Sequence, residues 1–160
     1  KVYADIESNF VKNVDDNANV LLKFSGGIQG FIWVSFSTVG GESGFKFRIN
    51  GTRGVIEWLQ DNPNEIKISL RNKPLQIITR GSKFVGKKSL LTTRISKGHP
   101  EGYFEAFANI YSDFADFIQK EEKKFIINSK TFPTLEDGLR GIKFIESAKK
   151  SSINKKWIKI

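Results

Sequence analysis

GHPEGYFEAFANIYSDFADFI, from Gly98 to Ile118, is the stretch that decides how this chain is read. Phe104, Phe107, Ala108, Tyr111, Phe114, Ala115 and Ile118 recur at helical spacing and give one apolar face. Pro100 suits the first position of a helix, where a missing N–H costs nothing. A helix is therefore expected from about Pro100 to Gln119. His99, the one histidine of the chain, stands just ahead of it. Unpaired backbone N–H groups point outward at a helix start, which suits the binding of a ligand oxygen.

Upstream of this helix the period changes from helical to alternating. Val2, Ala4 and Ile6 alternate with Tyr3, Asp5 and Glu7. Val20, Leu22 and Phe24 share one face of a run that ends in the turn signal Ser25-Gly26-Gly27. Ile28 to Ser37 returns as the second arm of a hairpin, with Phe31, Trp33 and Ser35 on one side. After the loop at Gly40, Gly41 and Gly44, strands are expected at Phe45 to Asn50, Val55 to Leu59, Ile66 to Leu70 and Leu75 to Thr79. The links between these runs are short, so antiparallel neighbours are expected; a parallel crossover needs about a dozen residues or more.

Downstream of the strands the pattern weakens. Arg80 to Lys97 reads as a surface loop with one short strand. A second helix is expected from Pro133-Thr134, with Thr134 as N-cap and Asp137 reaching back to complete a capping box. Leu135, Leu139, Ile142, Ile145 and Ala148 form its apolar stripe, Ser151-Ser152 its end, and Trp157 to Ile160 a last strand. Strands first and helices later define an α+β fold: a large, mostly antiparallel open β-sheet with helices packed on one face. The other face carries Phe31 and Trp33. Such a surface calls for a partner domain or a second subunit.

Bulk composition narrows the function. At 160 residues the chain reads as one domain. Absence of Cys excludes disulfides and thiolate metal sites, and one His leaves no zinc ligand set. No apolar run approaches the length of a membrane span, so no membrane partner is expected. A cytoplasmic setting is the expectation. The net charge is +9, but 20 of the 26 basic residues are Lys, the usual solvating surface cation. They are scattered apart from short pairs such as Lys87-Lys88, Lys123-Lys124 and Lys149-Lys150. No nucleic-acid partner is expected on that pattern. No Met occurs, and Lys1 opens inside a strand pattern, so a longer polypeptide is expected.

No Walker sequence, no glycine-rich phosphate loop after a strand and no nucleophile elbow are present. The His99 region remains. In one reading His99 is a hydrogen-bonding group for a hydroxylated substrate, with Glu101 and Tyr103 beside it. In the other, His99 caps its own helix and Glu101 is a favourable charge at the helix's positive end. Asn109 and Asp113 fit a polar helix face, Trp58 a sheet face or pocket wall, and Arg94 a solvated cation or a ligand clamp.

Four stretches together resemble the C-terminal domain of the Gfo/Idh/MocA oxidoreductases, the glucose–fructose oxidoreductase and inositol dehydrogenase family. They are VLLKFSGGIQGFIWVS, INGTRGVIEWLQDNPNEI, GHPEGYFEAFANIYSDFADFI and FPTLEDGLRGIKFIESAKKSS with the closing KKWIKI. The resemblance covers nearly the whole chain and is strongest to sugar- and polyol-oxidising members. It implies a sheet domain like the C-terminal one of glyceraldehyde-3-phosphate dehydrogenase. It also implies an N-terminal Rossmann domain, upstream of Lys1, that binds NAD or NADP. Residues 1–160 would be the substrate-binding and oligomerisation domain, forming a homodimer or homotetramer through its open sheet face. The implied reaction is hydride transfer between a secondary alcohol carbon and the nicotinamide. The family's catalytic Lys and its Asp/His pair would also lie upstream. No catalytic or cofactor-binding residue is expected in this chain, which alone would be inactive. The substrate-side contacts carried over are His99, Glu101 and Tyr103. Two alternatives stand beside this reading: a basic nucleic-acid-binding module, and a non-catalytic sugar-binding or scaffold relative.

Overall fold

The computed structural model describes residues 1–10, 12–40, 42–120 and 132–160. Gly41 and the Lys123-Lys124 pair therefore lie outside the described residues. The chain divides into two compact units, residues 1–40 with 127–160 and residues 41–126.

The first unit holds β1 (Val2–Glu7), β2 (Asn17–Lys23) and β3 (Gln29–Ser35), all antiparallel in the order β1-β2-β3. Register places Ala4 opposite Val20 and Val20 opposite Ile32. The face through these residues packs against a C-terminal helix. Val2, Ala4, Val20 and Ala148 are its buried centre, with Ile6, Leu22, Ile32, Phe144 and Ile158 around them. On the opposite face Tyr3 lies across from Leu21, Leu21 from Phe31, and Asn19 from Trp33. Leu21, Phe31 and Trp33 are exposed there. Among the described residues this is the exposed apolar face that the alternation predicts.

The second unit holds β4 (Lys46–Gly51), β5 (Gly54–Leu59), β6 (Glu65–Leu70) and β7 (Gln76–Thr79), again antiparallel and in sequence order. One face collects Phe47, Ile49, Ile56, Trp58, Ile66, Ile68 and Ile78. Trp58 stacks on Phe47 at 5.7 Å and meets Phe45 edge-on at 5.8 Å, which makes it a sheet-face residue. Its indole N–H donates to Pro63 O at 3.2 Å. The α+β reading and its seven antiparallel strands hold; the strands form one sheet of three and one of four.

Beyond β7 the elements differ from the sequence reading in four places. Within Arg80 to Lys97 the structure has a short helix, α1 (Lys87–Leu91), and no strand. Helix α2 runs from Tyr103 to Lys120, so Pro100 stands outside it. Gly102 takes the capping role: its carbonyl accepts from Ala106 N at 3.0 Å, and its amide donates to Glu105 Oε2 at 2.8 Å. Helix α3 (Leu135–Asn154) starts with the expected capping box at Thr134 and Asp137. It continues through Ser151-Ser152 to Lys155, which is left-handed at φ 47°. The last expected strand is a single bridge between Val2 and Ile158.

The buried side of α3 also differs. Leu135, Leu139, Ile142 and Ile145 are exposed, whereas Ala148, Ser151 and Ser152 are buried. Small side chains let this helix come close to β1. Ser151 and Ser152 bond the strand directly, through Ala4 N at 3.1 Å and Ile6 N at 3.0 Å.

Candidate functional site

Residues 92–102 connect α1 to α2 without regular structure. His99 lies in this connection and is exposed. Its backbone is tied at both polar groups. The amide donates to Ser96 O at 3.2 Å, and the carbonyl accepts from Arg80 Nη2 at 2.5 Å. The positive φ of Gly98, 92°, sets the turn just before it. His99 does not cap α2; Gly102 and Glu105 do that. The imidazole stays available on the surface.

Glu101 is buried, with only 8% of its surface exposed. Its Oε2 lies 2.5 Å from Arg80 Nη1, and the Arg80 side chain is largely buried too. Its Oε1 accepts from the amides of Arg94 and Ile95, the latter at 3.0 Å. Both carboxylate oxygens are thus taken by groups of the chain itself.

Tyr103 is the first residue of α2 and is 65% exposed. Its ring leans on Phe107 at 4.8 Å and meets Phe104 edge-on at 6.1 Å. These contacts hold the ring and leave the phenol at the surface. His99 and Tyr103 are therefore two exposed hydrogen-bonding side chains four residues apart on one loop-to-helix junction.

Three further residues build this junction. Asn64 donates to Glu101 O at 2.9 Å and accepts from Glu101 N at 3.1 Å. Arg80 donates from Nε to Asn64 Oδ1 at 2.8 Å and from its terminal nitrogens to Ile95 O, Ser96 O and His99 O. Arg94 is exposed yet held: Nε to Asn109 Oδ1 at 2.6 Å, Nη2 to Ala108 O at 2.9 Å and to Ser112 Oγ at 2.7 Å. Asn109 in turn donates to Thr92 O at 2.8 Å. Asn109 is thereby a bracket between loop and helix. Asp113 is half-buried on the same helix. Asn64 and Arg80 carried no signal in the sequence, because their partners stand up to 37 residues away.

The Gly102 amide beside Glu105 holds its carboxyl below the ordinary value of 4.5. That charge faces the positive end of α2 and fixes where the helix starts.

In the other unit, a hollow of about 380 Å³ is lined by Asp137, Arg140, Gly141, Phe144 and Ile160. Its two charged residues are paired with each other at 3.3 Å, and Asp137 also belongs to the α3 cap. Its carboxylate is thus engaged by the chain itself, and the His99 junction, with two exposed hydrogen-bonding side chains, is the better candidate.

The described residues do not form the strand–glycine loop–helix arrangement of a Rossmann dinucleotide site. Every strand pair is antiparallel, and Gly26 and Gly27 sit in a turn between paired strands. Among the described residues no glycine-rich loop leads from a parallel strand into a helix, the arrangement of a Rossmann dinucleotide site. Among the described residues no cluster of His, Cys, Asp and Glu could hold a metal ion, and no helix is long and apolar enough to cross a membrane.

Comparison with known proteins agrees with the sequence resemblance. An uncharacterized oxidoreductase of Bacillus subtilis (strain 168), YfiI, is 33% identical over 141 residues, which is 87% of this chain and 36% of the relative. An oxidoreductase from Sinorhizobium meliloti superposes with a TM-score of 0.90 at 36% identity, over 99% of this chain and 45% of that one. An inositol dehydrogenase homolog from Azotobacter vinelandii, solved with NADH and myo-inositol, superposes with a TM-score of 0.86 at 30% identity. The match covers 96% of this chain and 41% of that one. The chain thus spans less than half the length of each. Residues 2–160 match the C-terminal alpha/beta domain of the oxidoreductase family, and the chain belongs to the Gfo/Idh/MocA oxidoreductases through that domain.

Proposed function

We propose that this chain is the substrate-binding and oligomerisation domain of an NAD(P)-dependent oxidoreductase that acts on a sugar or polyol by hydride transfer. One observation carries the reading. His99 and Tyr103 present exposed, hydrogen-bonding side chains on a junction whose backbone is held by Arg80, Asn64 and Glu101. A neutral imidazole has one donor and one acceptor, and a phenol has both, which matches the hydroxyl groups of a polyol. The relative from Azotobacter vinelandii was solved with myo-inositol, which supports that substrate class.

In this reading Glu101 acts on the substrate through the loop it holds. NAD or NADP binds to a part of the protein outside residues 1–160, together with the groups that move the proton. The nicotinamide supplies the hydride chemistry there, and this chain contributes orientation. The chain alone binds no dinucleotide and turns over nothing. The exposed face of Leu21, Phe31 and Trp33 joins copies into a dimer or tetramer. The assembly works in the cytoplasm.

The test is turnover of the full-length protein with NAD+ and NADP+ against a panel of polyols and aldoses that includes myo-inositol. Reduction of either cofactor by a panel member supports the reading. A cofactor that stays oxidised with every member removes it and leaves a binding or scaffold role.

A further inference from the structure

The connection between α1 and α2 should be loose, because irregular segments at the surface ordinarily are. Instead it is closed on itself. Glu101 reaches back across the loop to the amides of Arg94 and Ile95, so its carboxylate joins the two ends. Arg80, at the end of β7, enters from the sheet side and bonds the carbonyls of Ile95, Ser96 and His99. Asn64, ahead of β6, bonds both backbone groups of Glu101 and the Nε of Arg80.

A largely buried ion pair is a poor device for stability alone. Desolvating the two charges offsets most of their attraction, and apolar side chains of similar volume would serve as well. The shape of this pair gives it a different use. Arg80 places donors on three carbonyls and one carboxylate at once, which requires a planar, forked cation. A lysine ammonium cannot span them. One of these bonds falls on the carbonyl of His99 itself.

We propose that Arg80, backed by Asn64 and Glu101, is a positioning residue that sets the pose of His99 toward the substrate. The proposal rests on the reading of His99 as a substrate contact. Substrate-binding groups must be held within a fraction of an ångström, and a displacement of about 1 Å can cost on the order of 100-fold in rate. Arg80 touches no substrate and acts through the His99 backbone.

Two measurements on the full-length protein test this. The first is hydrogen exchange. Arg80→Lys should speed exchange of the amides in residues 94–101 while those of β4 to β6 keep their protection. Unchanged exchange in that loop overturns the proposal whatever the activity does. Asn64→Ala, which leaves the ion pair in place, should produce a smaller change in the same loop, and it serves if Arg80→Lys fails to fold. The second is a double-mutant cycle on kcat/KM, with whichever of NAD+ and NADP+ supports turnover and the panel member turned over fastest. Arg80→Lys should lower kcat/KM about 10-fold or more in wild type, mainly through KM, and have little further effect in the His99→Ala background. Equal effects in both backgrounds overturn the proposal. If His99→Ala itself leaves KM unchanged, the substrate reading fails first and takes the positioning role with it.

Discussion

Ser151 Oγ accepts a hydrogen bond from the Ala4 amide at 3.1 Å and donates its own proton to Lys156 O at 2.7 Å. Strand β1 pairs with β2 along one edge only, so the outward amides of Ala4 and Ile6 have no strand beside them. Ser151 and Ser152 take the place of that missing strand. An unsatisfied buried amide costs about 1–3 kcal/mol. Ser151→Ala should therefore destabilise the protein by about that amount, and Ser152→Ala by the lower end of it. Denaturant titration gives the difference; a Ser151→Ala midpoint equal to that of wild type would show the bond to be dispensable.

The start of α3 is predicted to be sensitive to acid. Hydrogen bonds from the Thr134 amide and hydroxyl hold the Asp137 carboxyl below its ordinary value of 3.8. A depressed carboxyl contributes stability above its unfolded value and loses it as pH falls through the folded one. Glu105 at the start of α2 follows the same sign, from an ordinary value of 4.5. Both helix starts should then fray only as pH falls below those ordinary values. Replacing Thr134 by Ala should move the Asp137 titration back up toward 3.8, as read by carboxyl NMR shifts. An Asp137 titration unmoved by the substitution would show that the hydroxyl contributes nothing and leave the backbone amide of residue 134 as the cause.

Gly54 should tolerate no side chain. A Cβ there would lie 2.8 Å from Leu70 Cδ2 and 3.2 Å from Leu70 Cα, with the Ser69 carbonyl closer still. The last two are backbone atoms of the paired strand and cannot step aside. Gly54→Ala should cost about 1–3 kcal/mol through strain in the β5–β6 ladder. At Gly30 the nearest contact is the Phe24 ring at 3.3 Å, a side chain that can yield. Gly30→Ala should therefore shift the melting temperature less. The order of the two melting temperatures is the check.

These elements differ in how well the sequence announced them. All seven strands were legible, because alternation is local and each run ended in a turn signal. The Thr134 and Asp137 cap was legible for the same reason, as its partners stand three residues apart. The start of α2 was misplaced at Pro100. Nothing local says that Glu101 is drawn away from the helix toward Arg80, 21 residues earlier. Ser151-Ser152 read as a helix end because serine is a weak helix former. Their bonding partners lie almost 150 residues away in β1, and no local pattern reveals them. His99 and Tyr103 stand out as candidates because they lie beside a strong helical pattern. Arg80 and Asn64 were not, since a lone Arg and a lone Asn after strands look like solvated turn residues.

The exposed face of β1 to β3 leads to a prediction about assembly. Phe31 is 63% exposed and Trp33 54%. If that face joins subunits, Phe31→Glu combined with Trp33→Glu should turn the full-length oligomer into monomers without changing its circular dichroism. Light scattering during gel filtration reads the mass. An unaltered oligomer would place the interface elsewhere.

The most direct test of the functional account is the KM of the full-length protein for its best polyol or sugar, in wild type and in His99→Ala. Loss of one substrate hydrogen bond corresponds to roughly 10-fold in affinity. The account predicts a KM about 10-fold higher in His99→Ala, with Tm unchanged because the imidazole makes no hydrogen bond within the described residues. An unchanged KM would contradict it and remove His99 from the substrate site.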